Sequence, residues 1–267
     1  MSNSDSIKAQ IIIRNYVMER FLERLSLSKY HNNIILKGGT LVAAMVGLDN
    51  RSTMDIDTTI KNLTLTEENV KIVVKEIISI HLEDGMSFEI KSVDTIMDEA
   101  DYSGIRVMLD ATLETMRIPF KIDFSAGDAI TPREVSYSFK LLFEDRTISI
   151  WAYNLETILA EKIETLISRG TVNTRMRDFY DIFILESTQM HNVDDAVLKM
   201  ALDNTCKRRG SKALIGNMKL ILDEIADNHE MQILWKNYQR KFDYAAEIKW
   251  DDVIQTVKKL CNKCNMG

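Results

Sequence analysis

Apolar positions along the first third of the chain change period three times, and each change predicts an element. Residues 5–27 carry apolar pairs at Ile12/Ile13, Tyr16/Val17 and Phe21/Leu22 and then Leu25, the spacing of an amphipathic helix. Asn33 to Leu36 is a short apolar run that reads as a strand entering Lys37-Gly38-Gly39. From Thr40, read as an N-cap, Leu41 to Val46 makes a short apolar helix that stops near Gly47. Arg51-Ser52-Thr53 reads as a polar loop. Met54 to Ile60 then alternates as a strand, with Met54, Ile56, Thr58 and Ile60 on one face and Asp55, Asp57 and Thr59 on the other. Thr66 caps a helix through about Ile80, with Val70, Val73/Val74 and Ile77/Ile78 inward.

After Gly85 the period falls to two. Residues 86–96, 103–115 and 117–125 read as strands, and 135–151 as a hairpin broken at Glu144-Asp145-Arg146. From Asn154 onward the pattern is helical, with apolar stripes near 155–168, 177–187, 193–204, 212–226, 229–241 and 250–262. The expectation is an α+β chain in two domains. Residues 1–150 would hold a mixed, mostly antiparallel sheet with flanking helices, and 151–267 would be all helical. A cleft between two such halves is a common place for a ligand.

Composition narrows the class without naming a function. Apolar residues make up 45% and charged residues 28% of 267, with two prolines and ten glycines, as expected of long regular elements in a globular protein. No apolar run reaches the length of a membrane span, and Met1-Ser2-Asn3-Ser4-Asp5 lacks the basic start of a signal peptide, so a cytoplasmic protein is expected. Cys206, Cys261 and Cys264 cannot build a disulfide framework, and Cys261-Asn262-Lys263-Cys264 has no second pair to complete a zinc knuckle. A net charge of −6 repels polyanions. A nucleic-acid contact would need a local basic patch, for which Arg169, Arg175 and Arg177, then Lys207-Arg208-Arg209, then Lys236, Arg240 and Lys241 are candidates.

The chemistry concentrates in Lys37-Gly38-Gly39-Thr40 and Asp55-Ile56-Asp57. Glycines at the mouth of a helix let backbone N–H groups approach a phosphate, and the helix dipole favours negative charge there. Carboxylates at i and i+2 of a strand share a face, as a divalent cation requires. A third carboxylate is available in Arg117-Ile118-Pro119-Phe120-Lys121-Ile122-Asp123-Phe124-Ser125, where Asp123 falls on the polar face; it joins the others if this strand lies beside theirs. Lys162 falls on the inward stripe of its helix, between Leu159 and Leu166, where a lysine needs a counter-charge: a triphosphate, or a neighbouring acid. Asp178 sits near a helix start, suited to capping, and Asp181 one turn on is placed to pair with Lys162 or Arg177. There is no dinucleotide-type glycine motif, no Walker A loop and no nucleophile elbow.

Leu36-Lys37-Gly38-Gly39-Thr40, Arg51-Ser52-Thr53-Met54-Asp55-Ile56-Asp57, Leu159-Ala160-Glu161-Lys162 and Arg177-Asp178-Phe179-Tyr180-Asp181, in that order, resemble the motifs of the AbiEii/AbiGii nucleotidyltransferase toxins, within the DNA polymerase β-like superfamily. The resemblance covers about residues 30–190. It implies a nucleotidyltransferase core joined to a helical domain, acting as the toxin of a toxin–antitoxin or abortive-infection pair. By that likeness Asp55, Asp57 and Asp123 bind Mg²⁺ or Mn²⁺. Lys37, Gly38, Gly39 and Thr40 hold the phosphates of a nucleoside triphosphate, Lys162 contacts the nucleotide, and Asp178 or Asp181 completes the site. Gly-Gly stands where the superfamily turn has Gly-Ser, so Thr40 supplies the nearest hydroxyl.

The reading is therefore a metal-dependent transfer of NMP from an NTP to an acceptor hydroxyl, on tRNA first and on protein second, with a cognate antitoxin as partner and no membrane. Its rivals are a non-catalytic nucleotide- or partner-binding module of the same fold and a metal-dependent nuclease. The glycine turn counts against the nuclease, since hydrolysis of a polynucleotide requires no triphosphate cradle.

Overall fold

The computed structural model describes residues 3–97 and 103–265. They divide into two compact units: residues 1–48, 52–128 and 134–153, and residues 49–51, 129–133 and 154–267.

The first unit opens with α1 (Asn3–Leu27), followed by β1 (Ile34–Lys37), α2 (Gly38–Val46), β2 (Asp55–Ile60) and α3 (Glu67–Ile78). It continues with β3 (Met86–Met97), β4 (Ser103–Leu113), β5 (Met116–Ala126), β6 (Val135–Lys140) and β7 (Thr147–Ala152). The strands form one seven-stranded sheet in the order β3-β4-β5-β2-β1-β7-β6. β1/β7 and β2/β5 pair in parallel; the other four neighbours are antiparallel, which makes the mixed, mostly antiparallel sheet of an α+β fold.

Alternation sets the faces. On β5 the buried residues are Phe120, Ile122 and Phe124, while Lys121, Asp123 and Ser125 lie on the half-buried face. On β4, Ile105, Val107 and Leu109 are buried and Arg106 is half-buried. α1 packs across β5 and β7, where Phe21, Phe88 and Phe120 meet edge to face with ring centroids 5.9–6.5 Å apart.

Several expectations are corrected. α1 is not amphipathic through its middle: Glu19, Arg20, Glu23 and Arg24 are buried along with Val17, Met18, Phe21, Leu22 and Leu25. Their charges are matched, Arg24 by Asp84 at 2.7 Å and Glu23 by Arg146 at 2.6 Å, and the Leu142 N–H donates to Glu19 at 2.6 Å. Thr40 is not an N-cap. α2 starts two residues earlier, at Gly38, and Lys37 in the capping position makes no side-chain cap. Met54 lies outside β2 and is exposed, with an Arg14 N–H on its sulfur at 3.4 Å. β4 stops at Leu113 because Glu114, at φ 53°, and Thr115 form the two-residue turn that sets Leu113 opposite Met116. Thr66 does cap α3, accepting from the Asn69 N–H.

The second unit is helical: α4 (Leu155–Arg169), α5 (Met176–Gln189), α6 (Asp195–Arg208), α7 (Met218–Asp227), α8 (His229–Lys241) and α9 (Trp250–Asn265). Residues 212–217, expected as the first turns of a helix, are 3₁₀ instead, consistent with the poor helix formers Gly216 and Asn217 at the junction. Asn154, Asp194 and Asn228 cap α4, α6 and α8. The core runs from Leu159, Ile163 and Leu166 through Phe179, Ile182 and Leu185 to Trp235, Val253 and Val257, all buried. Cys206, Cys261 and Cys264 are buried thiols, and burial pushes Cys264 up to about 11. No helix of the described residues is long and apolar enough to cross a membrane.

Candidate active site

β1, β2, β5 and β4 stand side by side in the sheet, and their register gathers the charged residues of the first unit onto one face. Lys37 lies opposite Asp57, Asp57 opposite Asp123, Asp55 opposite Lys121, and Arg106 opposite Asp123. Asp55 and Asp57 point the same way because they are two apart on β2, as do Lys121 and Asp123 on β5.

The glycine turn is built around a carboxylate. Gly38 has φ 65°, in the left-handed region, and a Cβ added there would lie 2.1 Å from Asp57 Oδ2. The Gly39 N–H, at the N-terminus of α2, donates to that same oxygen at 3.2 Å. The Thr40 hydroxyl donates to the Asp55 carbonyl and ties α2 to β2. Here the helix N-terminus, expected to face a phosphate, is turned to Asp57.

Asp57 is the least comfortable acid of the group. Burial first, then the charge of Asp55 and that of Asp123, push its carboxyl up to about 6, against the opposing pull of Lys37 and the Gly39 N–H. Cations hold the other acids. The Arg106 guanidinium forks onto Asp123 with Nε–Oδ1 and Nη2–Oδ2 both 2.8 Å, and that bond raises the arginine further. Lys121 Nζ lies 3.1 Å from Asp55 Oδ2 and 3.7 Å from Asp123 Oδ2. Lys37 Nζ donates to Asp128 Oδ2 at 2.6 Å, an oxygen that also accepts from Ser125 at 2.7 Å and Tyr153 at 2.9 Å. Burial would raise Asp128, but Lys37 and the two hydroxyls outweigh it and hold the carboxyl far below the usual range.

The donor chemistry of Asp55 and Asp57 fits a divalent cation: two hard carboxylates on one face, one of them pushed toward protonation by burial and then by its neighbours' charge. Asp123 differs, because both its oxygens carry the Arg106 fork. Among the described residues, no three histidine, cysteine or acidic side chains are gathered closely enough to cage a metal.

A second charged cluster lies wholly within the helical unit. Lys162 on α4 donates to Asp178 Oδ1 at 2.8 Å and to Asp181 Oδ2 at 2.7 Å, both on α5. Arg51 reaches Asp181 through Nε at 2.6 Å and Nη2 at 3.2 Å, and both Arg51 and Asp181 have 0% of the side chain exposed. Burial lowers Lys162, but Asp178 and Asp181 reverse this and keep it charged; burial raises Asp181, and Arg51 and Lys162 reverse that. The Tyr180 hydroxyl fixes the neighbouring segment by donating to the Asn50 carbonyl. So the inward lysine finds two aspartates, Asp178 binds it rather than capping α5, and Asp181 pairs with Arg51 and Lys162.

Sequence reasoning missed Arg51, Arg106, Lys121, Asp128 and Tyr153. Arg51, read as part of a polar loop, is fully buried. The parity of Arg106 between Ile105 and Val107 marks it as facing away from the core, but its partner depends on strand order. Of the basic runs, Arg209 is neutralised by Glu164 at 2.7 Å and Lys207 by Asp203 at 2.5 Å. On α8, Lys236 and Arg240 line a concavity of about 570 Å³ with Ile233, Asn237, Gln239 and Ala246.

The chain matches the family described as nucleotidyl transferase AbiEii toxin, type IV toxin–antitoxin system, over residues 20–256. Its fold is similar to that of a putative nucleotidyltransferase from H. pylori, at 15% identity and a TM-score of 0.53, covering 99% of this chain and 97% of that one. It is also similar to JHP933 from Helicobacter pylori, at 16% identity and a TM-score of 0.51, covering 96% and 93%. No curated protein matches the chain.

Proposed function

The chain belongs to the AbiEii nucleotidyltransferase toxin family, and on that premise we propose that it transfers NMP from an Mg²⁺-bound NTP to a hydroxyl of an RNA acceptor, tRNA foremost. The observation that carries this reading is the register that sets Asp55, Asp57 and Asp123 on one face beside the Gly38-Gly39 turn. Mg²⁺ is commonly held by one or two carboxylates and completed by substrate phosphates, so Asp55 and Asp57 suffice as its protein ligands. When bound, the cation neutralises phosphate charge and orients the reacting groups.

The chain's own residues do the rest. Thr40 and the Gly39 N–H hold Asp55 and Asp57 against α2. Lys37, positioned by Asp128, adds positive charge beside Asp57 for the triphosphate. Lys162, kept charged by Asp178 and Asp181, ties α4 to α5 within the helical unit.

An RNA acceptor is supported by the α8 concavity, whose charged lining residues, Lys236 and Arg240, are both basic on a chain of net charge −6. Membership of a type IV toxin–antitoxin family supports a cognate antitoxin as partner.

The test is to incubate the protein with each labelled NTP, Mg²⁺ and total RNA. Label should enter an RNA species with wild type and not with Asp57→Asn. Equal labelling by both, label on protein alone, or none with any NTP would overturn the proposal.

A further inference from the structure

Asp123 stands directly opposite Asp57, yet its two oxygens are both taken by Arg106. The fork is side-on, through Nε and Nη2, and symmetric at 2.8 Å on each arm, so it takes a lone pair on each oxygen and sets a positive charge against the carboxylate that a cation beside Asp57 would share. A guanidinium and a divalent cation also repel each other across one carboxylate. Arg106 is not buried with its partner: 36% of its side chain is exposed, against 20% for Asp123, so the guanidinium has room to leave. An incoming anion on that face is the partner to which it would go.

Building on the nucleotidyltransferase reading above, we propose that Arg106 withholds Asp123 from the metal. The free protein presents a two-acid cation site, Asp55 and Asp57. Asp123 becomes the third ligand only when Arg106 leaves it for the substrate phosphates. The first metal-binding event is thereby kept weak until nucleotide arrives, and the departing guanidinium adds a bidentate contact to the phosphates.

The test reads Mn²⁺ binding directly, by the loss of the free-ion electron paramagnetic resonance signal, on the full chain without nucleotide. Arg106→Gln should bind Mn²⁺ about tenfold more tightly than wild type, within the range usual for coupled sites. Adding Asp123→Asn to Arg106→Gln restores the wild-type net charge and should erase the gain. Arg106→Lys, which keeps the charge but cannot fork, should bind a few-fold more tightly than wild type and carries the test if the glutamine variant does not fold. The proposal is overturned if neither Arg106 variant tightens Mn²⁺, or if the gain survives Asp123→Asn. In turnover, Arg106→Gln should raise the KM for NTP; an unchanged KM would overturn the transfer of the guanidinium to phosphate. Failure of the parent reading looks different: wild type and Asp57→Asn would bind Mn²⁺ equally.

Discussion

Gly38 and Asp57 occupy each other's space: a methyl group on the glycine would lie 2.1 Å from one carboxylate oxygen and 2.7 Å from the carboxyl carbon. The left-handed backbone of Gly38 (φ 65°) closes the turn so tightly that the N-terminus of α2 grips the acid on β2. Gly38→Ala therefore meets two penalties at once, about 1–2 kcal/mol for the backbone and a contact that only a displaced Asp57 relieves. Labelling activity should fall by at least a hundredfold, with the urea midpoint lowered. Gly47, also at positive φ, has nothing within 4 Å of an added Cβ, so Gly47→Ala should lower stability while leaving activity near wild type. Equal activity loss in the two variants would contradict this account of the turn.

Asp57 makes stability depend on pH in the direction opposite to most aspartates. Its carboxyl is raised from 3.8 to about 6 on folding, so the native state holds the proton more tightly than the unfolded chain. The resulting stabilisation is complete below about pH 3.8 and is lost as pH rises through 6. At pH 8 without metal the ionised acid then costs roughly 2 kcal/mol, allowing for solvent screening. In EDTA, Asp57→Asn should melt several degrees above wild type at pH 8, with the gap closing toward pH 4. Mg²⁺ should raise the wild-type Tm at pH 8 and leave the variant unmoved. A lower Tm for the variant at pH 8 in EDTA would be decisive against it.

Arg51 and Asp181 form a fully buried pair: removing Arg51 leaves Asp181 one of its two cations, Lys162, and removing Asp181 takes from Arg51 its buried carboxylate. Arg51→Met should cost about 3 kcal/mol in urea unfolding. Lys162→Met, whose side chain is 11% exposed and whose acid partner Asp181 keeps Arg51, should cost less. The double variant Arg51→Met with Asp181→Asn should lose less than the sum of the singles, because each single already removes the bond between the two. Strict additivity would show that the pair is not coupled.

The α8 concavity makes a salt-dependent prediction. If Lys236 and Arg240 contact RNA phosphates, Lys236→Glu with Arg240→Glu should weaken RNA binding at low salt by tenfold or more and flatten the salt dependence by about two contacts. NTP binding should be unchanged. RNA affinity that is indifferent to both residues would direct the search to another surface.

Much of this was legible from periodicity alone, because it depends only on neighbours in the chain. Alternation placed Asp55 and Asp57 on one face, and a 3.6 period found the six C-terminal helical stripes. It also marked Lys162 as inward, since a side chain's direction follows from its position in a strand or helix. Period-based reasoning failed where long-range partners override it. The buried charges of α1 contradict an amphipathic stripe because Asp84, Leu142 and Arg146 satisfy them.

What the sequence by itself determined about this protein was therefore local: which residues are acidic, which way they point, and where the glycine permits a left-handed turn. Only the tertiary structure decided which strands are neighbours. That order, β4-β5-β2-β1, brings Asp123 beside Asp57 and at the same time gives it to Arg106. Packing within the helical unit likewise brings Arg51 to Asp181, 130 residues away in the chain. The physical reason is that a side chain's direction is fixed by its own backbone, whereas its partner is fixed by hydrogen-bonded register and packing between segments that the chain brings together only on folding.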